Sequence, residues 1–522
     1  MASEVVAGYR KGEHVGIFRW IFTTNHHEIG ILYIATAILF FLLAGILALL
    51  MRAELAYPGE TIVDAKMYSR LFTMHGTSMV FLVAIPLLVG FANLMVPPLI
   101  GADDMIFPRL NALTYWLIPG AGVIIWAGSA EIGWTGYAPL SVFEKGIGVD
   151  LWIVGLQLLG ISSTAGAINL IVTILRLRAP GITFNNLSLF VWSVLVTMGM
   201  VLLATPVLAG GLFILLLERH GMVTFFTPAG GGDPLIWQHV FWFYSHPAVY
   251  IMILPVMGII SEVIPRFSGK PIFGYKAIAL SSVAIGFLGF GVWAHHMFTT
   301  GMSLNARLPF MVVTLAIAVP SGVKVFNWIM TMWGGVLDLR TPMLFSIGFI
   351  SMFVIGGITG VFQAPIPVDY QLQDTYWVVA HLHYVLFGGT VLVAFAGLYF
   401  WYPRMAGRMY SERLGRWHFA FTMIGFNVVF FPQHFAGLLG MPRRVADYDP
   451  SLWSLNWISS VGAVVLGFGQ LFFLVNFAKS FFTGPVSSKD PWPVIPTVDA
   501  HLPRPTVPGV AADGNGPETI SR

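Results

Sequence analysis

"TYWVVAHLHYVLFGG", residues 375–389, lies in an apolar run with no acidic, lysine or arginine side chain and two histidines, His381 and His383. A run of this kind, about 20 residues or more with its flanks, reads as a helix crossing a bilayer. Successive residues on a helix turn by about 100°. His381 and His383 are therefore about 200° apart, on opposite faces, and cannot serve one metal without distortion. They can serve two centres lying on either side of one helix.

The chain around this stretch is of the same kind. It has 522 residues, 57% hydrophobic and 10% charged, whereas soluble domains run nearer 45–50% apolar and about 25% charged. Twelve apolar runs read as spans, centred near residues 40, 83, 120, 162, 203, 250, 287, 319, 352, 388, 429 and 468. The fold class is all-α integral membrane. An even number of spans puts both termini on one side. Of the 27 Lys and Arg, 18 fall on that side and eight on the other, with Lys324 inside a span. The excess predicts that both termini are cytoplasmic, in a bacterial plasma membrane. "MASEVVAGYRKGEH" has no apolar core of signal-peptide length, so no cleaved signal is read. Residues 1–28 are expected to be a cytoplasmic segment, 29–480 the membrane domain, and 481–522 a Pro-rich, extended or disordered tail. The net charge of +3 gives no basis for a nucleic-acid partner. Cysteine is absent, so any thiolate-bound metal must sit on another chain.

Eight of the fourteen histidines, His75, His239, His246, His295, His296, His381, His383 and His434, fall within spans or at their ends. Ionisable residues at membrane depth are costly and usually mark function. A lone one can simply hydrogen-bond a neighbouring helix, and that reading stays open for His239 and His434. The others cluster. His295 and His296 in "VWAHHMFT" are about 100° apart and could both reach one metal near a helix end. His246 in "WFYSHPAVY" adds a third imidazole, followed by Pro247, which can open the helix locally. Three neutral imidazoles suit copper or zinc. His75 in "FTMHGTSMVF" remains to pair with one face of the 381/383 helix. Two imidazoles on one iron make a closed, electron-transferring haem; one leaves an open position for oxygen.

These residues resemble subunit I of the haem–copper oxygen reductases, the catalytic subunit of cytochrome c oxidase. The resemblance runs from "TTNHHEIGILYI" through "MRAEL", "GADDMIFPRLN", "WQHVFWFYSHPAVY", "VWAHHMFTTGM", "PSGVKVFNW" and "DTYWVVAHLHYVLFGG" to "FPQHFAGLLGMPRR". It implies that His75 and His383 ligate a low-spin haem, His381 a high-spin haem, both of the haem a type, and His246, His295 and His296 a copper ion. Breaking the O–O bond without releasing peroxide takes four electrons at once, and the metals supply three. The resemblance assigns the fourth to Tyr250, joined covalently to a copper-ligating histidine; ordinary packing is the alternative reading of a Tyr at this spacing from His246.

Protons must reach this site. Lys324 sits mid-span with Ser321 one turn before it and Thr359 on the next span, and the resemblance makes it the floor of a path to Tyr250. A second path would start at Asp104, with Asn93, Asn111, Ser162 and Ser163 holding water inward. The chain departs from well-studied members in having Ala248 where they have Glu. Tyr244 and Ser245, four and three residues earlier, are expected on the same helix face, which resembles a subgroup using a Tyr-Ser pair instead. Gln373 beside Asp374 departs from the His-Asp that binds magnesium or manganese in many relatives. Arg443 and Arg444 would pair with haem propionates, Arg52 with a substituent of the low-spin haem, and Glu54 with a peripheral cation. Met67 and Arg70 stand where quinol-oxidising relatives carry His and Gln. That favours cytochrome c as donor, through a dinuclear copper centre on subunit II, in a complex with subunit III, small subunits and membrane lipid. Two other readings are a nitric oxide reductase, which Tyr250 and Lys324 oppose, and a twelve-span transporter with proton-relaying histidines, which leaves "HLH" with "HH" unexplained.

Overall fold

The computed structural model describes residues 16–492. The expected N-terminal segment up to residue 15 and the tail from residue 493 lie outside the described residues. Among the described residues twelve helices are long and apolar enough to cross a membrane: α1 (His26–Glu54), α2 (Ala65–Ile100), α3 (Pro108–Gly128), α4 (Gly148–Arg176), α5 (Leu189–Arg219), α6 (Pro234–Ser268), α7 (Tyr275–Met297), α8 (Leu304–Met332), α9 (Thr341–Gln363), α10 (Tyr376–Ala406), α11 (Glu412–Leu438) and α12 (Pro450–Thr483). No strand forms among the described residues; the pairs Thr375–Pro442 and Arg408–Val486 are isolated bridges. Such an all-helical solution satisfies most backbone groups within their own segment, as a bilayer requires.

Helix starts follow local chemistry. The side chains of Asn25, Asp64, Ser188, Asp233, Ser303, Thr375 and Ser411 each accept backbone N–H groups at the start of their helix, which supplies partners for donors that the helix leaves free. Three loops are held by single buried ions. Glu54 accepts the N–H groups of Thr61, Ile62 and Val63 at 2.7–2.9 Å. Glu218 accepts those of Phe226 and Thr227. Arg219 donates to the carbonyls of Ser141, Glu144 and Gly146 while pairing with Asp150. Glu54 is thus surrounded by donors. Asp447 accepts the N–H of Gly59 in the same loop.

The core of the bundle is α6 and α2, with 83% and 78% of their apolar windows buried; α8, at 11%, is peripheral. The two helices that carry His75 and the 381/383 pair each change to a π-helix just after the histidines, at Ser78–Ala84 and Leu386–Val391. Such segments insert a residue and re-aim the side chains that follow. In α7 the end tightens into the 3₁₀ turn Trp293–Met297, which contains both His295 and His296. By contrast α6 runs unbroken through Pro247: the proline does not open the helix, because its neighbours enclose it.

Beyond α12 the chain is extended but held. Met409 N–H donates to Pro485 O and Ser487 N–H to Gly407 O. The buried Trp492 stacks on Phe400, lies tilted against Phe267, and donates Nε1–H to Phe400 O at 2.8 Å.

The helices α11 and α12 lie against each other through glycines. A Cβ at Gly425 would stand 2.4 Å from Leu466 N, and one at Gly462 2.5 Å from Val429 N. Small residues at such crossings let backbones approach closely. Gly425→Val is expected to separate the pair at a cost at or above the upper end of the ~1–3 kcal/mol typical of overpacked cores. Gly120→Val, where a Cβ meets nothing within 4 Å, is the control. Thermal inactivation in detergent measures both, and equal melting of the two variants would refute the close-packing account.

Candidate functional site

A cavity of about 1290 Å³ opens among α1, α2 and α6–α12 and is bordered by His75, His246, His295, His296, His381 and His383. Its walls are otherwise largely apolar. The hydrogen bonds of these imidazoles decide what each can do. His75 Nδ1 is 2.9 Å from Ala44 O, His383 Nδ1 2.8 Å from Val379 O, and His381 Nδ1 3.0 Å from Gly356 O. A carbonyl only accepts, so each Nδ1 carries the proton and each Nε2 is a bare lone pair. The His383 ring is stacked on Phe430 at 4.1 Å. Gly360 leaves room for His381, since a Cβ there would lie 2.7 Å from His381 Cε1.

The other three rings converge. His246 Nδ1 is 3.2 Å and His295 Nε2 3.1 Å from His296 Nε2, and the three residues offer ligand atoms all within 4.8 Å of one another. Thr314 gives its hydroxyl proton to Phe310 O at 2.6 Å and so accepts from His295 Nδ1–H at 3.0 Å, which leaves His295 Nε2 bare. Among the described residues this is the one such group of three. A single shared proton serves these contacts poorly, whereas one cation serves all three. Trp242 stacks on His296 at 3.7 Å. His246 Nε2 is buried with no partner, and the Tyr250 ring lies 4.8 Å from the His246 ring. The residues fit a soft-to-borderline metal such as copper, and the volume with bare Nε2 atoms on both faces of α10 fits two flat macrocycles.

On the rim of the cavity Arg443 pairs with Asp374 through Nε at 2.8 Å and Nη2 at 2.5 Å. Arg444 keeps Nε and Nη2 buried without partners. Asp374 and Arg444 both take left-handed backbone, φ 59° and 68°, a conformation that non-glycine residues hold only where their surroundings impose it. Burial and then the neighbouring Arg443 push Arg444 down to about 10, still cationic at neutral pH. Asp369, which sequence reasoning missed, is buried and pushed up to about 7 by that burial; Gln363 donates to one oxygen and the other has no partner. At the other edge Arg52 donates Nη2–H to Asn456 O and Ser460 Oγ, with Nε and Nη1 buried and unpartnered.

The polar residues leading inward divide into two sets. Asn111 donates to Asn93 Oδ1 at 2.6 Å, Ser162 to Thr114 O, and Tyr33 to Thr114 Oγ1. Asp104 stands at the mouth, its carboxyl pushed up by burial despite a bond from Met105 N–H. A second cavity of about 40 Å³, bordered by Tyr33, Ser162, Ser163, Gln157, Thr197 and Tyr244, continues from them, with room for about three waters. Tyr244 borders this smaller cavity, whereas Ser245 and Ala248 border the large one. The expected shared face is therefore split, because the broad Tyr ring turns aside to stack on Phe81. Lys324 bonds neither Ser321 nor Thr359. Ser321 returns its hydroxyl to Ile317 O, and Thr359 lies 3.1 Å from His381 Nδ1. A short side chain on its own helix reaches its own carbonyls, while the long Lys324 crosses to α7 and bonds Ser282.

Comparison with known proteins agrees with this geometry. The family model described as cytochrome C and quinol oxidase polypeptide I matches residues 28–465. The chain belongs to this family. It is the catalytic, haem–copper subunit of a respiratory terminal oxidase. It is similar to cytochrome c oxidase subunit 1 of Synechocystis (49% identical over 90% of this chain and 86% of the relative). The same protein of Thermostichus vulcanus is 48% identical over 92% and 89%. Cytochrome c oxidase polypeptide 1 of Halobacterium salinarum is 47% identical over 91% and 82%. A solved structure of a heme-copper terminal oxidase dimer shares the fold, with TM-score 0.78 at 20% identity over 89% of this chain and 86% of that one.

The oxidase subunit's copper-type trio depends on one residue that the sequence reading passed over, Thr314, a hydroxyl mid-span within reach of "HH". Thr314→Val keeps the shape and removes the acceptor for His295 Nδ1–H. Losing such an outer partner typically costs 10–100-fold in metal affinity. Bound copper, titrated against a chelator in the purified protein, is expected to fall by about that factor; wild-type affinity would show that Thr314 does not set the tautomer.

Proposed function

We propose that this subunit takes electrons from cytochrome c, through a dinuclear copper centre on a cysteine-bearing subunit II, and reduces O2 to water while moving protons across a bacterial plasma membrane. One observation carries the reading: four imidazoles have Nδ1–H committed to fixed acceptors, and their bare nitrogens face one cavity together with His246 and His296. In this proposal His75 and His383 hold the low-spin haem, His381 the high-spin haem, and His246, His295 and His296 the copper. When bound, the haems carry electrons, and the iron–copper pair binds and reduces dioxygen. Both haems are of the haem a type, in keeping with the unpartnered Nε and Nη1 of Arg52 at the cavity wall. Arg444, with two buried free donors, and Arg443 would hold the propionates. Arg443 holds Asp374 Oδ1, which leaves Oδ2 for the divalent ion that the family resemblance implies there.

The residues of the chain itself supply protons and hold charge. Tyr250 gives a proton and an electron beside the copper ligands. The unpartnered His246 Nε2 near its ring is in keeping with the covalent bond between them that the family resemblance implies. Lys324 feeds Tyr250 from the side of the termini, taken as cytoplasmic. Asp104, Asn93, Asn111, Ser162 and Ser163 lead a second set of protons to the small cavity. Tyr244 receives them there, and Ser245, whose Oγ is buried with no partner, passes them to the large one. This pair stands in for the glutamate that Ala248 replaces. Subunit III and small subunits complete the assembly.

Two measurements test the reading. His383→Leu is expected to remove the low-spin haem band, and His381→Leu to alter the band that responds to carbon monoxide. Loss of the same band in both would overturn the ligand assignment. Tyr244→Phe keeps the ring stacked on Phe81 and removes the hydroxyl; slower turnover, or fewer protons ejected per O2 pulse in vesicles, is expected. Wild-type values of both would leave Tyr244 as packing only.

A further inference from the structure

The amine of Lys324 does not face the cavity it is proposed to supply. Lys324 leaves α8 and reaches α7, where Nζ donates to Ser282 Oγ at 2.7 Å and to Ile278 O at 3.2 Å. Lys324 and Ser282 are 1% and 2% exposed, so water does not replace these acceptors. Ser282 gives its own proton to Ile278 O at 3.0 Å, which turns the lone pairs of Oγ toward the amine. The neighbouring Ser281 also bonds Ile278 O and does not reach Lys324. Tyr250 and Ser321 border the large cavity, and Lys324 and Ser282 do not. No carboxylate is among the partners of Lys324. On so peripheral a helix as α8, an ammonium held only by its own backbone would be left against lipid, at high cost.

We infer that Ser282 is a positioning residue: it docks the Lys324 amine on α7 and sets the protonated starting point from which Lys324 carries a proton toward Ser321 and Tyr250. The inference rests on the reading of Lys324 as a proton carrier. The step moves one proton and needs no other reactant. Docking divides the transfer in two. The amine is loaded against Ser282, then detaches and turns up the α7–α8 interface toward the cavity. Removing the hydroxyl leaves the buried ammonium one acceptor short, and a hydrogen bond to a charged group is worth roughly a factor of ten or more in an equilibrium.

The test follows reduction of the two haems by stopped-flow in the purified oxidase. Ser282→Ala is expected to slow reduction of the high-spin haem about ten-fold while low-spin reduction stays fast. Ser282→Thr, which keeps an Oγ, should stay within about two-fold of wild type, being a conserved acceptor. Adding Ser282→Ala to Lys324→Met should slow the reaction no further, because the docked group is already gone. Ser282→Ala at the wild-type rate, with Lys324→Met slow, overturns the docking role and keeps the carrier. A fast Lys324→Met overturns the carrier itself. Additive slowing in the double variant would also overturn the inference, since Ser282 would then act apart from Lys324. Should Ser282→Ala lose its haem bands, Ser282→Cys, near in shape and a poor acceptor, takes its place with the same expectations.

Discussion

The N–H···O=C bonds that His75, His381 and His383 make to the carbonyls of Ala44, Gly356 and Val379 are the constraint on which the site depends. Inside a bilayer no solvent stands by to satisfy a ring nitrogen, so the proton of each imidazole must go to the nearest acceptor. Once it does, the opposite nitrogen is bare and aimed. His381 and His383 find their acceptors on different sides, one on α9 and one in its own helix. A single helix is thereby made to serve two faces. Thr314 does the same for His295 with a hydroxyl whose own proton is already spent on Phe310 O.

The same need for internal partners shapes the polar side chains of the spans. Polar side chains in this bundle rarely stand free. Ser162, Asn93, Asn111 and Ser321 all bond carbonyls or one another. Among the buried side-chain atoms without a partner, Ser245 Oγ, Thr197 Oγ1 and His246 Nε2 each border one of the two cavities. Tyr244 and Ser245, adjacent in sequence, border different cavities.

Charge is gathered at the rim of the large cavity. Arg443, Arg444, Asp369 and Asp374 meet there, and the backbone takes left-handed conformations at Asp374 and Arg444 to bring them together. Elsewhere single ions, Glu54, Glu218 and Arg219, each bind several backbone groups and hold the loops on that side. The two segments that carry the rim charge are tied to each other by Arg443 N–H to Asp374 O and Tyr376 N–H to Met441 O.

The twelve spans and the opposed faces of "HLH" were legible in the sequence because they follow from apolar run length and from helix periodicity, both local properties. So was the grouping of His246 with "HH", since three imidazoles in apolar spans call for one cation. What the sequence could not carry were contacts between helices. Ser321 sits one turn from Lys324, yet the amine bonds Ser282, forty-two positions away in the chain. Thr359 meets His381 rather than Lys324, Tyr244 turns away from Ser245, and Pro247 leaves α6 unbroken. Glu54, read from the sequence as a cation ligand, also accepts three N–H groups of the loop that follows it. In each case the partner is chosen by how helices cross and how far a side chain reaches. Helix periodicity says which way a residue points; only packing says what it meets there.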